Sequence, residues 1–238
     1  MSTVTKDNYH FFTYTNESLL TSAPKGVCIE FHGLNLTCSY AEPEERAKRF
    51  ADQGIILVKP MTNPWSWMNP QAFSITETIM DILEEKYPQV KGNLALAGGS
   101  MGGYEALMYS VYTKRHLLSC TVNCPLCDCE QFRADDPWRA KTIMCAHYED
   151  GDFDKSLHDR SPINNIDKMP GIKYTVFQCT ADSIINKEVQ ADKFVEKAKG
   201  TLDISYYLSE SSEHCELTPE MWEKHDSIIF SSFANINI

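Results

Sequence analysis

The chain has 238 residues, 42% of them hydrophobic and 23% charged, which is enough to bury one sizeable core and too apolar for disorder. Its 33 acidic residues against 22 basic ones give a formal net charge of −11, a balance that repels nucleic-acid phosphates and anionic membrane surfaces. No run approaches the ~18 consecutive apolar residues of a membrane span, and the start, MSTVTKDNYHFFTYTNESLL, lacks the basic-then-apolar pattern of an export signal. With nine cysteines, an odd number, the expected setting is a reducing cytoplasm with free thiols.

In chain order, residues 9–15 (YHFFTYT) are expected to form an early strand, and residues 26–31 (GVCIEF) a short apolar strand ending at His32-Gly33. Residues 43–53 predict a helix, with proline in its first turn, acidic residues early and Gly54 as its stop. Residues 55–59 (IILVK) predict a β-branched strand. A loop containing Asn63-Pro64-Trp65-Ser66-Trp67-Met68-Asn69 leads to a helix over 72–87, with Ile75, Ile79, Ile82 and Leu83 on one face and Pro88 as terminator. Strands follow at 93–97, 119–123, 172–179 and 204–208, and helices at 104–114, 186–199 and 219–233.

Residues 125–168 read as irregular, polar and partly helical, an insertion suited to a small cap. Alternating short apolar strands and amphipathic helices predict an α/β fold, a mostly parallel central sheet with helices on both faces. The whole chain, 1–238, is expected to be a single domain.

The densest chemical signal is Gly98-Gly99-Ser100-Met101-Gly102-Gly103, which fits G-x-S-x-G between a strand and a helix. That motif holds a serine in a tight, strained turn, where flanking side chains would collide with strand and helix. A P-loop would need Lys-Ser/Thr after its last glycine, and Gly103 is followed by Tyr-Glu-Ala; G-x-G-x-x-G does not match either. A plain packing turn remains the bland alternative for the six residues alone.

A nucleophilic serine needs a base and an orienting carboxylate, supplied in this class in the order Ser, Asp/Glu, His from carboxyl ends of strands. Asp182 follows the strand at 172–179, and His214 lies in the loop after the strand at 204–208. A helix cap for Asp182 and a solvated loop for His214 are the competing readings. Each of the other histidines falls in the wrong order or place. The first oxyanion donor would be the backbone N–H of Met101; the second is assigned to the N–H of Leu34, after His32-Gly33, with His32 bracing the loop.

Trp65, Trp67 and Met68 either wall a substrate pocket or cover the following helix as core. Cys120, Cys124, Cys127 and Cys129 lack the paired spacing of a structural zinc site and read as buried free thiols, with Cys215 lining the pocket. Asp150, Asp152 and Asp154 alternate without the EF-hand glycine and distal glutamate, and read as a solvated loop.

On F-H-G-L-N, A-G-G-S-M-G-G, C-T-A-D and S-E-H-C, the chain resembles the α/β-hydrolase superfamily over about residues 24–233. D-R-S-P-I-N-N-I at 159–166 is similar to the segment before the acid strand in prolyl-oligopeptidase-like and feruloyl-esterase-like members. The resemblance implies a Ser–Asp–His hydrolase working through an acyl-enzyme, with no metal and no organic cofactor. The expected substrate is a small or medium acyl ester, with a short peptide or amide as the alternative. A catalytically dead fold used for binding is the reading from another class. The oxyanion loop departs from the H-G-G-G of one esterase branch, and no propeller precedes the domain.

Overall fold

The computed structural model describes residues 4–36, 45–210 and 212–236. Seven strands form one sheet: β1 (Thr13–Thr15), β2 (Gly26–Phe31), β3 (Ile55–Pro60), β4 (Leu94–Gly99), β5 (Leu117–Asn123), β6 (Lys173–Cys179) and β7 (Asp203–Ser209). Their spatial order is β1-β3-β2-β4-β5-β6-β7, with β1 antiparallel to β3 and every other pairing parallel. The predicted α/β class and mostly parallel sheet are what the chain adopts.

The interior strands are near-continuous apolar runs because helices cover both faces. Val27, Ile29, Ile56, Val58 and Leu96 belong to the larger core, while Cys28, Ile55, Leu57 and Ala95 pack on the opposite side against Phe50, Ile229 and Phe233. The second face is closed by α1 (Glu45–Asp52), which carries Phe50, by α8 (Pro219–Ser231), which carries Ile229, and by Phe233 just after α8. The first is covered by α2 (Pro70–Lys86) and α3 (Met101–Tyr112). Every residue of α3 from Met101 to Ser110 is buried, so that helix lies inside the molecule. The start of the helix expected at 43–53 falls partly on residues outside those described, as does Cys38.

Parallel pairing brings the carboxyl ends of β2 to β7 to one rim. Phe31 pairs with Gly98, Gly99 with Asn123, Asn123 with Phe177 and Cys179 with Ser209. The loops after β2, β4, β5, β6 and β7 therefore leave the sheet side by side, and the central strand β4 ends at Ser100.

Several boundaries differ from expectation. Residues 9–11 form a 3-10 turn rather than strand, because Tyr9 N–H donates to Thr5 O and Thr5 N–H to the Asn8 side chain; only Thr13–Thr15 pairs with the sheet. The helix expected at 186–199 is α7 (Ala191–Ala198). Asn186 Oδ1 accepts from Glu188 N–H and bends the chain ahead of it. The nucleophile-side helix starts at Met101, three residues before the expected 104.

Residues 125–168 are more ordered than their polarity implied: α4 (Cys129–Asp135), α5 (Pro137–Ala146) and α6 (Phe153–Asp159) fill much of the segment. Asp128, Asp136 and Asp152 each cap a helix by accepting the N–H three residues on, from Gln131, Arg139 and Lys155. Asp152 is thus a cap rather than part of a solvated loop, and Asp150 pairs with Arg160. The segment is anchored by Trp67, whose indole Nε1 donates to Thr142 Oγ1 at 2.8 Å and whose carbonyl meets His147 Nε2 at 2.9 Å. Among the described residues no helix is long and apolar enough to cross a membrane.

Candidate active site

Ser100 sits between β4 and α3 with φ 57° and ψ −123°, a backbone conformation that non-glycine residues adopt only when their surroundings enforce it. The enforcement is visible in the glycines. A Cβ on Gly98 would stand 2.2 Å from Gly102 O, and one on Gly102 would stand 2.1 Å from Phe31 O. Strand and helix meet backbone to backbone, and Ser100 is left at the apex. Its N–H donates to Asn123 O at 2.9 Å, and its carbonyl accepts from Tyr104 N–H. Its side chain does not cap the helix.

Asp182 follows β6 and His214 follows β7. His214 Nδ1 lies 2.8 Å from Asp182 Oδ2. The carboxylate is fully buried, and its other oxygen accepts backbone N–H groups from Ile184 and Ile185 at 2.9 and 2.8 Å. Burial favours the protonated acid, but His214 and those N–H groups outweigh it and hold Asp182 below the usual carboxylate range. Burial likewise resists charging the His214 ring, yet the Asp182 carboxylate and the nearby Cys124 thiol hold it up to about 9. Asp182 thus ties down the turn that carries it and hydrogen-bonds the His214 imidazole, and it does not cap α7, which begins only at Ala191.

Ser100, Met101, Leu34, His214 and Cys215 line one cleft of about 510 Å³. Its apolar walls include Trp67, Leu126, Phe132, Ile184 and Ile185, with Arg139 also lining it. That volume suits a small organic substrate. Met101 opens α3, so its N–H is among the free donors at the positive end of a helix.

The loop carrying Leu34 is held by the loop after β3. His32 Nε2 meets Thr62 Oγ1 at 2.8 Å, and Nδ1 lies 2.9 Å from Gly33 O. Asn35 N–H donates to Pro64 O, and the Trp65 indole donates to Asn35 Oδ1, both at 2.9 Å. His32 is a brace, as expected.

The expected wall of Trp65, Trp67 and Met68 needs correcting for two of its three members. Only Trp67 reaches the cleft. Met68 is 2% exposed and packs in the core. Trp65 is 48% exposed and serves as a clamp on Asn35.

One buried charged residue near the site escaped the sequence reading. Glu105 on α3 is fully buried; its Oε1 accepts the Ser66 hydroxyl and the Met68 N–H. Ser66 also hydrogen-bonds Thr62, which meets His32, so a buried carboxyl underpins the loop that carries Leu34. Burial pushes Glu105 above the ordinary carboxylate range. A lone glutamate inside Y-E-A-L-M-Y was the available signal.

The eight described cysteines are free thiols, and Cys120, Cys124, Cys127 and Cys129 are all buried. Cys215 lines the cleft beside His214, with its Sγ 3.7 Å from His214 Nε2.

Residues 65–227 match the family model Esterase, described as "Putative esterase". No curated protein matches the sequence. Among solved structures, a puromycin hydrolase superposes with a TM-score of 0.75 at 19% identity, over 91% of this chain and 34% of that one. The chain thus spans about a third of that protein's length. An S-formylglutathione hydrolase from Agrobacterium tumefaciens aligns over 94% of this chain and 95% of its own, with TM-score 0.69 and 15% identity. Esterase B from Lactobacillus rhamnosis aligns over 90% and 78%, with TM-score 0.68 and 13% identity. At such identities the likeness is one of fold, and the family assignment rests on the matched model. The chain belongs to the esterase family.

Proposed function

We propose that the protein is a serine hydrolase that cleaves a small or medium carboxylic ester through an acyl-enzyme. The observation that carries this reading is the Asp182–His214 pair, 2.8 Å apart, opening onto the cleft that holds the strained Ser100.

In this mechanism Ser100 Oγ attacks the ester carbonyl while His214 Nε2 takes its proton. Asp182 keeps the imidazole in the tautomer whose Nε2 faces the cleft and stabilises the imidazolium that forms. The backbone N–H groups of Met101 and Leu34 bind the oxyanion of the tetrahedral intermediate. His214 then returns the proton to the leaving alkoxide. Water, activated by the same imidazole, hydrolyses the acyl-enzyme. Trp67, Leu126 and Phe132 supply apolar surface for the acyl or alcohol group. Residues 125–168 act as a small cap that shapes this wall.

Amide or peptide cleavage is the second reading, favoured by the fold likeness to a puromycin hydrolase. A graded panel of p-nitrophenyl esters beside aminoacyl-p-nitroanilides separates the two. The ester reading expects kcat/KM higher on the esters; the reverse order supports the amidase, and no turnover on either supports a binding role for the fold.

A further inference from the structure

Beside the proposed base, two strand ends bring together a cluster that hydrolysis does not use. Cys124 directly follows β5, and Cys215 directly follows His214. The ligating atoms of Cys124, His214 and Cys215 all lie within 4.8 Å of one another. The His214 Nε2 to Cys215 Sγ separation is 3.7 Å. In a tetrahedral zinc site, Zn–S and Zn–N bonds place neighbouring ligand atoms roughly 3.5–3.8 Å apart. The cluster therefore needs only a small contraction to hold the ion.

The surroundings are those of a metal site. Asp182 accepts a hydrogen bond from His214 Nδ1–H, which leaves Nε2 as the nitrogen that faces the thiols; a carboxylate on the far nitrogen is the usual orienting partner of a zinc-bound histidine. Cys124 Sγ accepts the Cys179 backbone N–H at 3.4 Å, a donor that suits a thiolate, while as thiols Cys124 and Cys215 rest against Asn123 Oδ1 at 3.3 Å and its carbonyl oxygen at 3.7 Å. Gly99 leaves room, since a Cβ there would stand 3.3 Å from Cys215 Sγ. Cys215 and His214 line the cleft, which provides an entry path, while Cys124 is buried behind them.

We propose that Cys124, His214 and Cys215 form an inhibitory Zn²⁺ site. Two thiols and one imidazole with an open fourth position match the donor preference of zinc. Binding forms two Zn–S bonds and one Zn–N bond, releases the two thiol protons and, where the ring is charged, the His214 Nε2 proton to solvent, and involves no change of oxidation state. A water completes the tetrahedron. With its Nε2 lone pair on the metal, His214 cannot take the Ser100 proton, so turnover stops while zinc is bound. The inhibitory role rests on the proposed role of His214 as base; the metal site itself does not.

The test is a titration of chelator-stripped protein with Co²⁺ and then Zn²⁺, run beside p-nitrophenyl acetate hydrolysis. Wild type is expected to show thiolate-to-cobalt absorption saturating at one equivalent and displaced by Zn²⁺, with Zn²⁺ abolishing turnover over the same range. Cys215→Ala and Cys124→Ser should each weaken binding at least about 10-fold and shift inhibition equally, measured against each variant's own metal-free rate. Cys145→Ser, which removes an exposed thiol, should behave as wild type in metal response. Ser100→Ala should keep the cobalt spectrum and lose turnover.

If Cys124→Ser misfolds by circular dichroism, the half-buried Cys215→Ala decides alone. No thiolate–cobalt band in wild type, or unchanged affinity in Cys215→Ala, overturns the site. Zinc that binds there and raises turnover overturns the inhibitory role. A cobalt-binding protein with no hydrolysis upholds the metal site while removing the hydrolase reading.

Discussion

Asp182 is wholly buried and directs one carboxylate oxygen, 2.8 Å away, at Nδ1 of His214, while its other oxygen ties down the turn at Ile184 and Ile185. Asp182→Asn keeps a carbonyl oxygen for that turn but loses control of the imidazole tautomer. The expected result is a fall in kcat of about 10³–10⁴-fold, with KM little changed and the circular dichroism spectrum retained. A folded variant with kcat near wild type would remove Asp182 from the mechanism.

Glu105 makes a different prediction, on stability. Glu105→Ala would leave the Ser66 hydroxyl and the Met68 N–H buried without their acceptor. At about 1–3 kcal/mol for each orphaned group, urea unfolding should show a loss of about 2–6 kcal/mol. Glu105→Gln retains an acceptor oxygen and should lose clearly less. Equal midpoints for the two variants would contradict the assigned network.

The close approach of strand and helix under Ser100 is tested by Gly102→Ala. Its new methyl would meet Phe31 O at 2.1 Å and His32 O at 2.9 Å, both backbone atoms that cannot rotate away. A loss of about 2–3 kcal/mol or more is expected from overpacking. Gly171→Ala meets nothing within 4 Å and should stay within about 0.5 kcal/mol of wild type. Similar unfolding midpoints for both variants would show that the backbone contact is not constraining.

Acid should unfold the protein through the cluster behind α1 and α8. Asp226 is 2% exposed and receives the Arg46 guanidinium at 2.9–3.1 Å, with His225 alongside. Burial raises its pKa, but His225 and Arg46 outweigh it and bring the carboxyl down to about 2. A depressed carboxylate stabilises the fold above its unfolded pKa near 3.8 and loses that contribution as pH falls through about 2. The amount is about 2 kcal/mol. Burial holds His225 below its ordinary value of 6.5, so this ring also contributes stability above that pH and loses it on acidification. Urea midpoints measured from pH 7 to pH 2 should fall throughout, and Asp226→Asn should begin lower and fall less steeply below pH 4. A wild-type midpoint independent of pH would contradict this.

Much of the architecture is legible in the residues, because strands buried on both faces write themselves as apolar runs and their ends as Gly, Asp or His. The carboxyl ends of strands alone single out Ser100, Asp182 and His214 as the candidates. What escaped was whatever depends on packing between distant segments. Met68 and Trp67 are neighbours that both pack in the core, yet only Trp67 also lines the cleft, a distinction that depends on segments far away in sequence. The helices between 129 and 159 were hidden by a polar composition, although each begins with an aspartate three residues before the N–H it caps. The Cys124–His214–Cys215 cluster joins two strand ends far apart in sequence, so no local spacing signals it.

The central claim is that Ser100 is an activated nucleophile, and a fluorophosphonate probe reports this directly. Wild type should be labelled stoichiometrically on the peptide containing Ser100, losing p-nitrophenyl ester turnover in step with labelling, and Ser100→Ala should show neither label nor turnover. Hydrolysis undiminished in Ser100→Ala, or a folded, metal-free wild type that resists labelling and turns over no ester, would contradict it.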